Sequence, residues 1–303
     1  MALHHPETLV KYCTADTAGK ILSNRSLRWC APHLFCDPFE LNHDTGLPFD
    51  PHELLSAAIK AATAMIFARD APRGNTPLVT AIRRWRDEER FSSPEEAEDV
   101  LQELLSQIID QRQAAIDQVM MDWRKFTRRL RICCFSAKPN NIAAWRQYGE
   151  RHHGVAIRFQ CGEFTALPKP RQVNYRGGRP DITTLREQLG VIIGDERCVP
   201  QEQFYEKFTS KPTVDSPIQE WRCFHRADDS TSADHTDATN WFDDIKFECN
   251  EITGVYFGIY TDTAVKRKLC ELLKAQYSHA KIFQARAVPG KYEVDFERIT
   301  TRK

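Results

Sequence analysis

Between Cys133 and Ile157 the chain passes through two short apolar runs separated by an aromatic helix and a glycine turn, an order that suits a sheet with helices rather than a helical bundle. Cys133-Cys134-Phe135-Ser136 reads as a buried strand ending in a hydroxyl. Trp145-Arg146-Gln147-Tyr148-Gly149 reads as a short helix whose two aromatics, three residues apart, share a face. His152-His153-Gly154 makes a polar turn into a second buried strand, Val155-Ala156-Ile157. A serine at the C-terminal lip of an apolar strand sits where sheet proteins present polar groups to a cleft. Trp145 and Tyr148 would wall such a cleft. The plain alternative is that both rings are core and Ser136 merely ends a strand.

The remaining pattern predicts one domain of the α+β class over 1–303, with a helical insertion at about 50–129 and a motif-bearing core at 1–49 and 130–303. Strands or turns and a short helix are expected from 9 to 30. Residues 51–68 are alanine-rich with apolar positions at helical spacing. Thr76-Pro77 offers an N-cap with proline at the first helical position, and Ser93-Pro94-Glu95-Glu96 a capping box opening a helix to about 129. Leu101, Leu104, Leu105, Ile108, Ile109 and Ile116 continue an apolar stripe suited to helix packing. Beyond 130, strands are expected at 131–135, 154–159, 172–175, 219–225, 253–260, 281–287 and 292–296. Helices are expected at 141–149, 181–193, 200–209 and 262–276. Residues 227–246, rich in Asp, Ser, Thr and His, read as a surface loop.

Lys plus Arg equals Asp plus Glu at 42 each, so overall charge marks neither a nucleic-acid nor a membrane binder. Locally, Arg124, Lys125, Arg128, Arg129 and Arg131 form a basic run that would either guide a nucleic acid or end a solvated helix. The 10 cysteines include no Cys-x-x-Cys pair, and none has a His at zinc-finger spacing. No apolar run of about 18 residues is present to cross a bilayer. The first residues, among them His4, His5, Pro6, Glu7 and Lys11, do not resemble a signal peptide. A cytoplasmic protein with reduced thiols and no membrane partner is expected.

Three groups of residues carry chemistry. The first is Lys11-Tyr12-Cys13-Thr14, with Leu27-Arg28-Trp29 and Cys36-Asp37-Pro38-Phe39-Glu40 downstream, where a cation and an aromatic near a strand end can grip a phosphate or a ring. Otherwise Tyr12 is core, Lys11 solvated, and Asp37 a turn residue bonding its own backbone. The second is Ser136, Trp145, Tyr148 and His152. The third is Lys211 with Glu220-Trp221-Arg222, where Glu220 and Arg222 share one strand face and Trp221 takes the other. Such a pair is either a surface ion pair of little worth or part of a site.

In this order the segments Leu27-Arg28-Trp29 through Asp37-Pro38-Phe39-Glu40, Cys134-Phe135-Ser136, Trp145-x-x-Tyr148-x-x-x-His152-x-Gly154, Lys211 with Glu220-Trp221-Arg222, and Val255-Tyr256-Phe257-Gly258 resemble a bacterial family catalogued as domain of unknown function 2971. The motif order is similar to that of the ADP-ribosyltransferase superfamily, several branches of which act as toxins or in phage defence. The resemblance implies an ADP-ribosyltransferase-like mixed sheet, NAD as substrate and no metal. It places Lys11 or Tyr12 in the first motif, Ser136 in the second and Glu220 in the third. Glu220 would hold the ribose and stabilise developing positive charge. Tyr148 or Trp145 would sandwich nicotinamide beside His152, and Lys11, Arg28 or Arg222 would meet the pyrophosphate. No G-x-G-x-x-G loop occurs, so a Rossmann mode is not expected. The implied partners are a macromolecular acceptor (protein, RNA or DNA) and, for a toxin, an antitoxin protein. A non-catalytic ligand-binding or antitoxin-like module, and a metal-dependent nuclease using Asp37, Glu40 and Glu220, stay open as alternatives.

Overall fold

Alternation in β1 (Thr8–Cys13) assigns Leu9 and Cys13 to one apolar cluster and Val10 and Tyr12 to another, so both faces of this strand are covered. The computed structural model describes residues 5–35, 37–40, 45–194, 196–227 and 241–299. After β1 come α1 (Ala15–Asn24), β2 (Ser26–Cys30), α2 (Pro51–Phe67), α3 (Pro77–Asp87), α4 (Pro94–Arg129) and β3 (Leu130–Ser136). Then follow α5 (Ile142–Gln147), β4 (Val155–Gln160), β5 (Arg171–Gln172), β6 (Asn174–Arg176), α6 (Leu185–Ile193), α7 (Phe204–Lys207) and β7 (Ser210–Pro212). The chain closes with β8 (Glu220–Arg226), β9 (Phe242–Lys246), β10 (Ile252–Phe257), α8 (Thr263–Gln276), β11 (Lys281–Ala287) and β12 (Val294–Arg298).

These elements form two compact units. One comprises Met1–Glu40, Arg128–Arg179 and Thr209–Lys303, the other Leu41–Thr127 and Pro180–Phe208. The first is α+β and holds a mixed sheet of order β12-β11-β10-β4-β1-β3-β2-β9. Within this sheet β10 and β11 pair in parallel, with α8 as their crossover, and β6 and β7 form a separate parallel pair. β3 is the branch point. It pairs with β8 along its whole length, with β1 through Val10↔Ser136, and with β2 through Cys30↔Ile132. β1 and β2 thus divide one edge of β3, and the sheet forks there. Leu22, Leu27, Trp29, Phe135, Phe159 and Leu269 belong to the main core of this unit.

The second unit is helical. Asp50 and Glu53 make a reciprocal capping box for α2, and Thr76 caps α3 ahead of Pro77. At α4 the Ser93 hydroxyl accepts the Glu96 N–H, but the Glu96 carboxylate reaches back to the Ser92 N–H instead of closing the predicted box. Leu54, Ala58, Ile82, Leu101, Leu105 and Ile192 share its core. Leu104, expected in the α4 stripe, is 39% exposed. The predicted insertion at 50–129 lies largely within this unit, which also takes in residues 180–208 around α6 and α7.

Three expectations need revision. Phe242–Lys246 is a strand, not loop, because Asp244 is neutralised across the ladder by its register partner Arg28. Residues 228–240 lie outside the described residues. The strand expected at 172–175 splits after Val173, whose N–H still bonds the Glu220 carbonyl opposite it, while the Asn174 N–H turns to the Thr209 carbonyl. The helix expected at 200–209 shrinks to a 3₁₀ turn and the single turn of α7. Among the described residues no helix is long and apolar enough to cross a membrane, and all nine described cysteines are free.

Candidate functional site

A cavity of about 710 Å³ lies at the sheet fork within the α+β unit, lined from β1, β2, β3 and β8. Register determines its floor. Ser136 stands opposite Glu220, and Cys134 opposite Arg222, so these side chains share one face of the β3–β8 pair. Ser136 and Glu220, far apart in sequence, are therefore neighbours, and both line the cavity.

Four buried charges form the floor. The Arg222 Nε donates to Glu220 Oε1 at 2.7 Å, and its Nη1 donates to Glu40 Oε2 at 2.9 Å while Nη2 reaches Glu40 Oε1. The Lys211 ammonium stands 3.1 Å from Glu220 Oε2 and 3.7 Å from Glu40 Oε1. Two carboxylates and two cations cancel, which is what makes burial of all four tolerable. Arg222 is 0% and Glu220 1% exposed. Burial would raise the Glu220 pKa, but Arg222 and then Lys211 outweigh it and bring the carboxyl down to about 2. Burial pulls the Lys211 pKa down, yet Glu220 together with Tyr148 and Glu40 more than reverses this and the ammonium is held above its ordinary range. Glu220 Oε2, despite the nearby ammonium, accepts no aligned hydrogen bond.

The turn leading into β8 is fixed from beneath. Ser136 Oγ donates to the Ile218 carbonyl at 3.2 Å, and Asn141 Nδ2 donates to the same oxygen at 2.8 Å. Gln219 then takes a left-handed conformation at φ 51°, and the Glu220 N–H donates to the Tyr175 hydroxyl at 2.8 Å. Ser136 thus acts on Glu220 through the backbone and is a positioning residue.

Of the other expected residues, Tyr148 lines the cavity, its phenol pushed up by burial and then by Glu220. Lys11 also lines it. Its side chain leaves from the Leu9 face, donates to the Cys134 carbonyl at 3.0 Å between the two branches of the fork, and has no carboxylate partner among the described residues. Tyr12 lines the cavity, but its hydroxyl is committed to the Lys138 carbonyl at 2.6 Å and the Asn141 N–H at 3.2 Å. Arg28 is bound bidentately to Asp244 and lies 3.7 Å over the Phe242 ring, so its charge is already matched. Arg222, proposed for pyrophosphate, instead grips two carboxylates. Trp145 and His152 do not line the cavity. Trp145 is fully buried, edge-on to Tyr12, with its indole N–H on the Pro139 carbonyl, and His152 stacks on its other side. The wall expected of Trp145 is core.

Glu40, Lys211, Tyr175 and Asn141 complete the site. Glu40 ends the Asp-Pro-Phe-Glu motif and Lys211 accompanies Glu220 in the third group, so both had a signal in the sequence. Tyr175 and Asn141 had none, since both act through contacts with backbone groups. Asp37 accepts the Phe39 N–H at 2.9 Å, the turn role read from Asp-Pro. No family model, curated protein or solved structure matches this chain, and the resemblance to domain of unknown function 2971 rests on its motifs alone.

Proposed function

We propose that the chain is an ADP-ribosyltransferase-like member of the domain of unknown function 2971 family that transfers ADP-ribose from NAD to a protein, RNA or DNA, as a bacterial toxin or phage-defence effector in the cytoplasm. The observation that carries this reading is the meeting of Ser136 and Glu220 across β3 and β8 on the floor of a cavity also lined by Lys11 and Tyr148. In this chemistry the bond between ribose C1′ and the nicotinamide nitrogen breaks, and its electron pair leaves with neutral nicotinamide. The acceptor oxygen or nitrogen bonds to C1′ and releases a proton to solvent. Glu220, ionised at any pH well above 2, lies in the cavity floor beneath the developing ribose cation and acts on it through its charge, with Oε2 buried 3.1 Å from the Lys211 ammonium. Its low pKa suits charge stabilisation rather than proton abstraction. Tyr148 packs against nicotinamide and Lys11 meets a phosphate.

One observation favours a second reading, a ligand-binding module without turnover: Arg222 and Lys211 already face both Glu220 oxygens. A metal-dependent nuclease is less well supported. Glu40 and Glu220 do converge, but on Arg222 and Lys211, cations that stand where a metal would be needed. The test is incubation of the folded protein with NAD labelled in its adenylate half, against separate pools of protein, RNA and DNA. Label entering one pool, with nicotinamide released in equal amount and no effect of a chelator, supports transfer. NAD binding without release supports the module, and chelator-sensitive nucleic-acid cleavage indifferent to NAD supports the nuclease.

A further inference from the structure

Three exposed apolar side chains line the same cavity, Leu34, Phe39 and Val214, the last two most exposed. Phe39 is 68% exposed and Val214 81% exposed, and both line the cavity. Phe39 has no ring partner among the described residues, whereas nearby Phe35 lies 5.9 Å from the Arg222 guanidinium. The segments bearing them are anchored to the floor. Phe39 precedes Glu40, which is bound to Arg222, and Val214 follows Lys211, which faces Glu220. The Glu40–Lys211 ion pair at 3.7 Å joins the two segments. The apolar rim is thus pre-organised, and a ligand covering it loses little affinity to ordering. Lys11 lines the same cavity as a cation without a carboxylate partner among the described residues, and Asp37, beside Phe39, adds one carboxylate to the lining.

We infer that this rim is an aryl subsite: Phe39, flanked by Val214, stacks on the base of a nucleoside diphosphate whose phosphates meet Lys11. The inference deepens the transferase reading, since it assigns the adenine-diphosphate half of NAD to the rim and Lys11. The probes are ADP and inorganic pyrophosphate, titrated calorimetrically. ADP should bind the wild-type protein at least about tenfold more tightly than pyrophosphate, because base–aromatic stacking changes affinity by about five- to a hundredfold. Phe39→Ala should abolish that margin and Phe39→Trp restore it, with unchanged circular dichroism as expected at an exposed position. Lys11→Met should weaken both probes and flatten the salt dependence of ADP binding. Equal affinity for ADP and pyrophosphate, no ADP binding by folded protein, or ADP binding indifferent to Phe39 would each overturn the inference. The two claims fail separately. Phe39-dependent ADP binding without nicotinamide release removes the transferase reading alone, while nicotinamide release with a KM for NAD unchanged in Phe39→Ala removes the aryl subsite alone.

Discussion

Arg222 holds together two carboxylates that would repel one another if left alone in a buried setting. Its loss strands both, with only Lys211 to offset them, so Arg222→Met should destabilise the protein by about 3–5 kcal/mol in urea unfolding. A change under about 1 kcal/mol would mean that solvent reaches the floor and screens it. The depressed Glu220 pKa sets a direction for acid. Its folded value near 2 lies below the ordinary 4.5, so its contribution is complete above about pH 4.5 and fades as pH falls toward 2. That contribution is about 3 kcal/mol for a shift of this size. Urea stability measured between pH 6 and pH 2 should therefore fall less steeply in Glu220→Gln than in wild type. Parallel slopes would contradict the ion network.

At the level of elements, the chain folds its site around backbone contacts that side-chain patterns do not report. Gly154 opens β4, and a Cβ placed there would come within 2.2 Å of the Cys13 carbonyl, whereas one at Gly177 would meet nothing within 4 Å. Gly154→Ala should cost more than about 2 kcal/mol in thermal or urea unfolding and Gly177→Ala less than about 0.5. Comparable costs would show that β1 and β4 do not approach as closely as described. The same distinction explains what could be read beforehand. Period two placed Glu220 and Arg222 on one face, and the strand-end position of Ser136 placed it at a cleft, because both signals are local. Tyr148 reaches the cavity as its pattern suggested, whereas Trp145, three residues earlier, is core, buried with Val10, Tyr12 and Tyr256 and held by its indole N–H on the Pro139 carbonyl. β9 was hidden by two acidic residues, Asp244, answered by Arg28 more than 200 positions away, and Asp243, which faces Arg131. Glu40 could be named as an acid, but its attachment to Arg222 spans 182 positions and has no local trace.

Across the whole molecule, chemistry and helical packing belong to different units. Among the described residues the cavity is lined from the α+β unit, and Leu54, Leu101 and Leu105 pack in the helical one. The basic residues Arg124, Lys125 and Arg128 are exposed near the end of α4. Under the proposed function, an ionised Glu220, set by Ser136 across the β3–β8 ladder, stabilises a ribose cation formed from NAD. The most direct measurement is the rate of nicotinamide release by folded wild-type and Glu220→Gln proteins at neutral pH with saturating NAD and acceptor present. The account predicts release by the wild type and at least about a hundredfold loss of turnover in the variant, the scale of removing one charge-stabilising group. Release at equal rates by both proteins, or by neither while NAD binds, would contradict it.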